Sequence, residues 1–375
     1  MWENFPVSPL LRIFFVLVLA AGPTLAYDWQ VKRFDGRDYV SVGKIAEFYN
    51  LPRDGAPVDK NLSLARARRS LLVTLNSRAV EINGVKYILS FPVIEKDGQY
   101  WVSRMDLGKT IEPAFRPEMV PGVQPFTTVI LDPGHGGHDK GAVGPYEVEK
   151  NFALDVARRV RDELQKAGLR VMMTRNSDAF VELPDRAAMA NAKQKCIYVS
   201  LHFNASSNRE ANGLEIFCIT PRGSPSTEYD ELLVRDMVQE YGNENEGQSF
   251  TLAHAIHHSL HGAGLEMFDR GLKRARFAVL RLTKMPAVLV EGGFLSHRGD
   301  AKLVAGKEWR NRYAKAVATG ILEYKKLAEL KQAPRLAADY RNAKPGEATA
   351  VVALPSPTPA ASSLALRDFP EEKTN

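Results

Sequence analysis

Four short segments carry side chains that could bind a metal ion or transfer a proton, and each lies where a strand ends or a helix begins. They are residues 129–137, 149–151, 200–204 and 288–294, and they contain His135, Glu149, His202 and Glu291. Two histidines and a carboxylate form the ligand set of a hydrolytic zinc site, which keeps one coordination position for water. A further carboxylate that does not bind the metal is what such a site needs as general base. These residue types therefore indicate metal-assisted hydrolysis.

Each of the four residues also has an ordinary structural interpretation. A histidine in a loop is usually a surface or hydrogen-bonded residue, and a glutamate at a helix start, such as Glu149, is often a cap favoured by the helix dipole. Glu291 is harder to explain in this way, because it lies in an apolar strand, where a carboxylate is costly unless it is paired or functional. The four together favour a functional site.

The remaining histidines offer rival ligands. Four of them share one predicted helix with i,i+4 spacing: His254, His257, His258 and His261. That spacing binds zinc in H-E-x-x-H motifs, but Ala255 follows His254, so the general base is absent. We interpret this cluster as a solvated or core-lining helix face. His138, three residues after His135, is a weaker candidate for the metal.

The elements that would position the four residues alternate between strands and helices from residue 127 onward. The predicted strands are 128–131, 169–174, 197–201, 214–220 and 287–290, and the predicted helices are 151–167, 183–193 and 308 to about 331. This alternation predicts an α/β domain over 127–332, with a doubly wound, largely parallel sheet and helices on both faces. Because ligands gather at the carboxyl ends of parallel strands, the four residues can converge at one sheet edge.

Residues 27–118 predict a smaller α+β domain that contains an internal repeat. Residues 35–41 (DGRDYVS) match residues 97–103 (DGQYWVS), and each copy reads as a turn, a strand and then a helix. Asn83-Gly84 predicts a hairpin between them. The arrangement resembles the small domain found at the N-termini of copper amine oxidases, which recurs on bacterial wall-associated proteins. We interpret it as a binding or spacer module; a packing subdomain for the enzyme is the alternative.

The ends of the chain differ from its middle. Residues 1–26 contain Arg12, an apolar run from Ile13 to Ala21, the helix breakers Gly22-Pro23 and the small-x-small ending 24–26, the layout of a cleaved signal peptide. An uncleaved anchor is the alternative, although the run is short for a membrane span. Residues 119–126 predict a linker, and residues 333–375, rich in Ala, Pro and Ser, predict a disordered tail.

Composition is compatible with an exported protein of about two domains. The chain has 375 residues, a net charge of +6 and no nucleic-acid-binding motif, so we exclude nucleic acid as the partner. A mildly basic protein suits an anionic partner such as cell wall. Cys196 and Cys218 are the only cysteines; they predict two buried free thiols, with one disulfide as the alternative.

The four segments resemble the zinc-dependent N-acetylmuramoyl-L-alanine amidases of bacterial cell-wall turnover. Residues 270–273 (RGLK) and 277–281 (FAVLR) also fit this family, and the resemblance covers about two hundred residues. It implies that His135, Glu149 and His202 ligate Zn²⁺ and that Glu291 is the catalytic acid/base. It further implies hydrolysis of the amide that joins the muramyl lactyl group of peptidoglycan to L-Ala. The signal-peptide layout of residues 1–26 predicts export to the periplasm or cell wall, with no stable membrane insertion after signal cleavage.

Two departures from the family pattern stand out. His297 occupies a position where family members commonly have Asn, which could add a side chain near the site. The acidic segment 222–250 replaces a simple connection between a strand and a helix. Because some family members carry an inserted helix here that covers the zinc, we hypothesise self-inhibition by this segment and an activator protein that moves it; a solvated surface helix is the alternative.

Two other function classes remain open from the sequence. A catalytically silent wall-binding protein would keep the fold and use the first domain for anchoring, but the complete ligand set with Glu291 argues against it. A zinc peptidase that acts on stem peptides would share the metal chemistry and differ in the bond it cleaves. Analysis of the products separates this peptidase from the amidase.

Overall fold

A computed structural model describes residues 27–342 of the chain. Its strands are β1 Lys32–Phe34, β2 Arg37–Ser41, β3 Asn61–Arg66, β4 Arg69–Thr74, β5 Ala79–Ile82, β6 Val85–Ile88, β7 Ile94–Lys96, β8 Gln99–Ser103, β9 Thr128–Pro133, β10 Arg170–Met173, β11 Cys196–Asn204, β12 Leu214–Ile219, β13 Asp269–Ala275 and β14 Ala287–Phe294. Its α-helices are α1 Val42–Tyr49, α2 Arg104–Asp106, α3 Glu112–Phe115, α4 Glu149–Lys166, α5 Leu183–Asn191, α6 Glu246–Gly262, α7 Ala278–Arg281, α8 Arg298–Ala305, α9 Lys307–Leu330 and α10 Ala337–Asn342. Shorter helical turns are Leu107–Ile111, Pro117–Met119, Val234–Met237 and Tyr241–Asn245.

Ten strands form one mixed sheet in the order β10-β9-β11-β14-β12-β13-β6-β5-β4-β3. Among the six strands from β9 to β14, the pairing is parallel except between β12 and β14. The central strands are apolar along their length because helices cover both faces. Helices α4, α6 and α9 pack together on one face, while α5 and α7 join a core cluster with Tyr198, Phe217 and Leu289 on the other. The predicted α/β class with a largely parallel sheet is confirmed.

Strand direction decides which loops can reach which edge of the sheet. Strands β9, β11 and β14 run in the same direction, so their carboxyl ends lie at one edge of the sheet. This edge carries the loop with His135, which follows β9, and also His202 of β11 and Glu291 of β14. Strand β12 runs antiparallel to β14, so its carboxyl end lies at the opposite edge. The edge beyond β9, β11 and β14 is called the site edge below.

The segment after β12 does not cover the site edge, so the predicted self-inhibition by residues 222–250 is wrong. It leaves the sheet at the opposite edge and stays there: Asp236 forms an ion pair with Arg276, beyond the end of β13, and Gly242 packs on Leu280, before the start of β14. It contains two short helical turns before α6 begins, rather than one helix over the site. The antiparallel direction of β12, which the sequence pattern does not reveal, is the physical reason.

The N-terminal segment contributes to the same sheet. Strands β6 to β3 extend it through a parallel pairing of β6 with β13 at Tyr87 and Leu272. The Asn83-Gly84 hairpin is confirmed, and both turn residues have positive φ. The two copies of the repeat, β2 and β8, pair with each other in a separate four-stranded sheet, and Ser41 and Ser103 cap the helices that follow them.

Other sequence predictions have mixed outcomes. Within segment 119–126, Val120, Val123 and Phe126 are buried against the molecule rather than exposed as in a free spacer. The predicted tail begins too early, because Ala337–Asn342 form α10 and the Ala337 amide donates to His258. The rest of the predicted tail, and the predicted signal peptide, lie outside the described residues. Cys196 and Cys218 are free and buried, as expected.

Within residues 27–342, no helix combines the length and the apolar character that crossing a membrane requires.

Candidate metal centre

His135 lies in a constrained loop at the end of β9. It adopts φ +59°, a left-handed conformation that is uncommon for a residue with a side chain. Gly134 lies against the other histidine, since a Cβ there would stand 2.3 Å from Cε1 of His202. A Cβ on Gly141 would likewise stand 2.5 Å from both His135 and Glu149. The glycines of this loop therefore let the backbone pass close to the three candidate ligands.

Two buried arginines fix the loop through its carbonyl oxygens. Arg175 donates to the carbonyls of Pro133 and Gly134 at 3.0 and 2.6 Å. Arg186 donates to those of Pro133 and His135 at 2.7 and 2.8 Å. Neither arginine was singled out from the sequence, because the loop carbonyls that they bind lie more than forty residues away in the chain.

The carboxylate of Asp132 anchors this end of β9. It is fully buried and accepts hydrogen bonds from Arg186, Thr174 and Ser200 at 2.8, 2.5 and 2.7 Å. Burial raises the pKa of Asp132, but Arg186 and the hydroxyl donors outweigh it, and the net shift is downward. The ionised Asp132 ties β9 to both of its neighbouring strands just below the loop with His135.

Glu149 is the buried centre of the site. It opens α4, and its two oxygens accept hydrogen bonds from the amides of Ala142 and Phe203 at 2.8 and 3.0 Å. The same carboxylate lies 3.0 Å from Nε2 of His135 and 2.8 Å from Nδ1 of His202. Burial opposes its ionisation, but both histidines lower the pKa of Glu149 well below its ordinary value. The carboxylate is therefore held ionised between two imidazoles.

These three residues have the composition and closeness of a metal site. One ligand atom from each of His135, Glu149 and His202 lies within 4.8 Å of the others. Nδ1 of His135 lies 2.8 Å from Asp139, which leaves Nε2 to face Glu149 and a bound ion. A carboxylate behind a ligating histidine is the usual outer partner that orients the ring. Two imidazole nitrogens and one carboxylate oxygen fit Zn²⁺, with a coordination position to spare.

Glu291 lies beside this group on the neighbouring strand. It pairs in register with His202, so both side chains point to the same face of the sheet. One of its carboxylate oxygens is buried and makes no hydrogen bond within the described residues. Burial, followed by the nearby charges of Glu149 and Glu215, raises the pKa of Glu291 well above its ordinary value. A carboxyl with these properties suits proton transfer.

The strand bends directly after Glu291. His202 pairs with Glu291 and Asn204 pairs with Phe294, so β14 contains one more residue than β11 between these two pairs. This extra residue makes a β-bulge in β14. Gly293 in this bulge has φ +108°, a conformation that glycine adopts without strain. The Gly-Gly pair after Glu291 in the sequence therefore marks the bulge.

The rival histidines lie elsewhere. His138 is exposed and packs on Phe180 at 4.2 Å between ring centroids. His254 and His258 are buried and hydrogen-bond to the Tyr87 hydroxyl, so the core-lining interpretation of that helix is confirmed and the solvated one is wrong. His297 caps α8 by accepting from the Asp300 amide.

The chain resembles characterised proteins over this region. The profile of a family described as N-acetylmuramoyl-L-alanine amidase matches residues 129–323. The amidase AmiC of Neisseria meningitidis is 31% identical over 54% of the chain and 54% of its own length. The amidase LytC of Bacillus subtilis is 33% identical over 52% of the chain and 35% of its own length. The chain thus spans about half, or less, of the length of these curated relatives.

Solved structures match the same region. The amidase AmiC2 of Nostoc punctiforme is 32% identical, covers 54% of the chain and 98% of its own, and has a TM-score of 0.45. The catalytic domain of the amidase CwlV from Paenibacillus polymyxa is 31% identical over 53% of the chain and 98% of its own, also with a TM-score of 0.45. Because the family profile matches more than half of the residues, this chain belongs to the N-acetylmuramoyl-L-alanine amidase family.

Proposed function

We propose that this protein is a zinc-dependent amidase of peptidoglycan, which hydrolyses the amide between N-acetylmuramic acid and the L-Ala of the stem peptide. The observation that carries the proposal is the close group of His135, Glu149 and His202, with Glu291 in register on the next strand. Membership of the amidase family supports the choice of bond. Cell-wall turnover or separation of daughter cells is the corresponding role.

Each residue has one part in the proposed reaction. His135, Glu149 and His202 would hold Zn²⁺, which when bound supplies a Lewis acid that activates water and polarises the scissile carbonyl. Glu291 accepts the proton of the attacking water and delivers it to the nitrogen of L-Ala as the C–N bond breaks, so that a neutral amine leaves. Asp139 orients the His135 ring from behind, and Arg175 and Arg186 keep the loop in place.

The proposed setting is outside the cytoplasm. Residues 1–26 would direct export, and residues 27–118 would serve as a binding module beside the catalytic strands. The pairing of β6 with β13 supports this arrangement, since the module continues the sheet that carries Glu291.

Digestion of purified peptidoglycan tests the proposal. The purified protein is incubated with the polymer in the presence or absence of a zinc chelator, and the released fragments are analysed by mass. Intact stem peptides that begin at L-Ala, released only without chelator, are the expected result. Cleavage inside the stem peptide would identify a peptidase instead, and no release from protein that binds one zinc per chain would indicate a catalytically silent wall-binding protein.

A further inference from the structure

A row of charged side chains extends from the site across neighbouring strands. On the face that carries His202 and Glu291, the register places Glu215 of β12 directly opposite Glu291. Phe217 lies two residues after Glu215 on β12, so both side chains are on this face. Lys273 of β13 pairs with Phe217 and therefore lies on the same face. Lys86 lies on the same face of β6, because its neighbour Tyr87 pairs with Leu272 and points the other way.

Cations outnumber carboxylates in the outer part of this row. Glu215 is buried and accepts from the side chains of Arg270 and Lys273, the latter at 2.7 Å. Lys86 lies against the backbone of β13 next to Arg270, since its Cγ would stand 3.1 Å from a Cβ on Gly271. Glu81 of β5 pairs with Lys86 and is exposed. The three cations outnumber Glu215 and Glu81 by one, and we call Lys86, Arg270 and Lys273 the cation group.

The cation group can be reached by a ligand. The side chains of Arg270 and Lys273 are 31% and 15% exposed, and Lys86 is partly exposed. Glu215 is only 4% exposed, so a ligand approaching from solvent meets the cations before it meets the carboxylate. Burial, followed by the neighbouring Arg270 and Lys86 charges, lowers the pKa of Lys273 despite Glu215.

Geometry sets which part of a substrate would reach the cation group. Adjacent strands are about 4.8 Å apart, so β13 lies roughly 10 Å from the strand of Glu291. Arg270 closes part of that gap, since its guanidinium lies 4.9 Å from the Phe294 ring at the end of β14. An extended peptide advances about 3.3–3.6 Å per residue, so Arg270 and Lys273 lie within about three residues of the scissile bond. Lys86, one strand further at roughly 14 Å, lies within about four residues of it.

Resting on the proposed amidase function, we propose that Lys86, Arg270 and Lys273 form a binding subsite for a carboxylate of the stem peptide, within about three to four residues of the scissile amide. The N-terminal module then contributes to substrate recognition directly, through Lys86. Glu215 and the exposed Glu81 balance two of the three cations, and the remaining positive charge is what an incoming carboxylate would satisfy. Arginine and lysine are the side chains that bind carboxylates through charge-assisted hydrogen bonds.

Two synthetic substrates test the subsite. The compounds are a muramoyl tripeptide with free peptide carboxylates and the same compound with carboxamides, and kcat/KM is measured for both with the zinc-loaded full chain. We expect the carboxylate to be preferred about tenfold, mainly through KM. Lys86→Met should reduce this preference several-fold and Lys86→Arg should keep it. Lys284→Met, at the opposite edge of the sheet, is the matched control and should leave the preference unchanged.

Binding provides a second readout that does not depend on turnover. Calorimetric titration of the Glu291→Gln protein with both compounds should show tighter binding of the carboxylate, with an advantage that shrinks as salt increases. Equal kcat/KM for the two compounds in the wild type, or an unchanged preference in Lys86→Met, would overturn the subsite while leaving the amidase assignment intact. Failure to cut either compound, when zinc is bound, would instead contradict the proposed function itself.

Discussion

At the residue scale, one carboxylate organises the whole centre. Glu149 accepts hydrogen bonds from the Ala142 amide, in the loop after β9, and from the Phe203 amide, at the end of β11. Its two carboxylate oxygens also lie beside His135 and His202. Because its hydrogen bonds come from backbone amides, its position does not depend on the ion. Glu291 lies on β14, and one of its oxygens is buried without a hydrogen bond to any described residue, so the proposed ligand and the proposed proton carrier lie on separate elements.

Replacing Glu291 should separate metal binding from turnover. Glu291→Gln keeps the side-chain shape and removes the proton acceptor, so we expect about one zinc per chain and a loss of kcat of about 10²–10⁴-fold. His135→Ala should lose both zinc and activity. Metal analysis and the rate of L-Ala-peptide release measure the two effects, with the exposed Glu308→Gln as control. A Glu291→Gln protein with near wild-type rate would rule out this role.

Asp139 should tune the metal affinity without touching the ion. Its carboxylate lies 2.8 Å from Nδ1 of His135 and also accepts from the Gly141 amide. Asp139→Asn keeps an oxygen for the ring but removes the charge, so we expect zinc affinity to fall about 10- to 100-fold. Competition with a chromophoric chelator measures this change. Unaltered affinity would show that Asp139 only shapes the loop.

At the scale of elements, the backbone of the loop after β9 passes very close to the side chains of the candidate ligands. There is no space for a side chain at Gly134, because a Cβ there would stand 2.3 Å from Cε1 of His202. We expect Gly134→Ala to displace that ring, weaken zinc binding and lower the free energy of unfolding by about 1–3 kcal/mol. Zinc titration and urea unfolding measure both. Gly108→Ala, where no atom lies within 4 Å of the added Cβ, is the matched control and should retain zinc binding.

The segment after β12 stabilises the edge of the sheet opposite the site edge. Asp236 and Arg276 form a 2.7 Å ion pair whose side chains are only 4% and 11% exposed. Removing one partner of such a pair leaves a buried charge, so Asp236→Ala should lower the free energy of unfolding by about 3–5 kcal/mol. Activity per folded molecule should not rise. A marked rise would revive the hypothesis that this segment restrains the site.

The sequence predicts the local elements and the site residues better than it predicts strand direction. Helix and strand periodicity locates the strand ends that carry His202 and Glu291, and the loop of His135 follows a clear turn signal. The antiparallel direction of β12 depends on long-range packing, so the location of segment 222–250 is missed. Arg175 and Arg186 are missed for the same reason, since carbonyl oxygens leave no pattern in side-chain types.

At the scale of the whole molecule, a chain of buried hydrogen bonds joins strand β6 of the N-terminal module to helices α6 and α10. The Ala337 amide donates to Nδ1 of His258, so Nε2 of His258 carries its proton and donates to the Tyr87 oxygen at 3.1 Å. The Tyr87 hydroxyl then donates to Nδ1 of His254 at 2.8 Å. This order requires both histidines to be neutral, and it links β6, α6 and α10.

The neutral state of these histidines should make stability depend on pH. Burial, followed by the charge of His257, lowers the pKa of His254 to about 3, against about 6.5 in the unfolded chain. Between these values the unfolded state binds more protons, so the free energy of unfolding falls as the pH falls, by up to about 1.4 kcal/mol per pH unit from His254. Urea unfolding from pH 7 to pH 4 at fixed zinc concentration measures the slope.

A variant isolates the contribution of His254 to this slope. His254→Gln can still accept the Tyr87 hydroxyl through its amide oxygen but cannot take up a proton, so its slope should be shallower by about 1 kcal/mol per pH unit. The exposed His138→Gln is the matched control and should keep the wild-type slope. If the free energy of unfolding fell with pH equally steeply in the wild type and in His254→Gln, protonation of His254 would not contribute to the acid destabilisation. Other titrating groups would then be responsible for it.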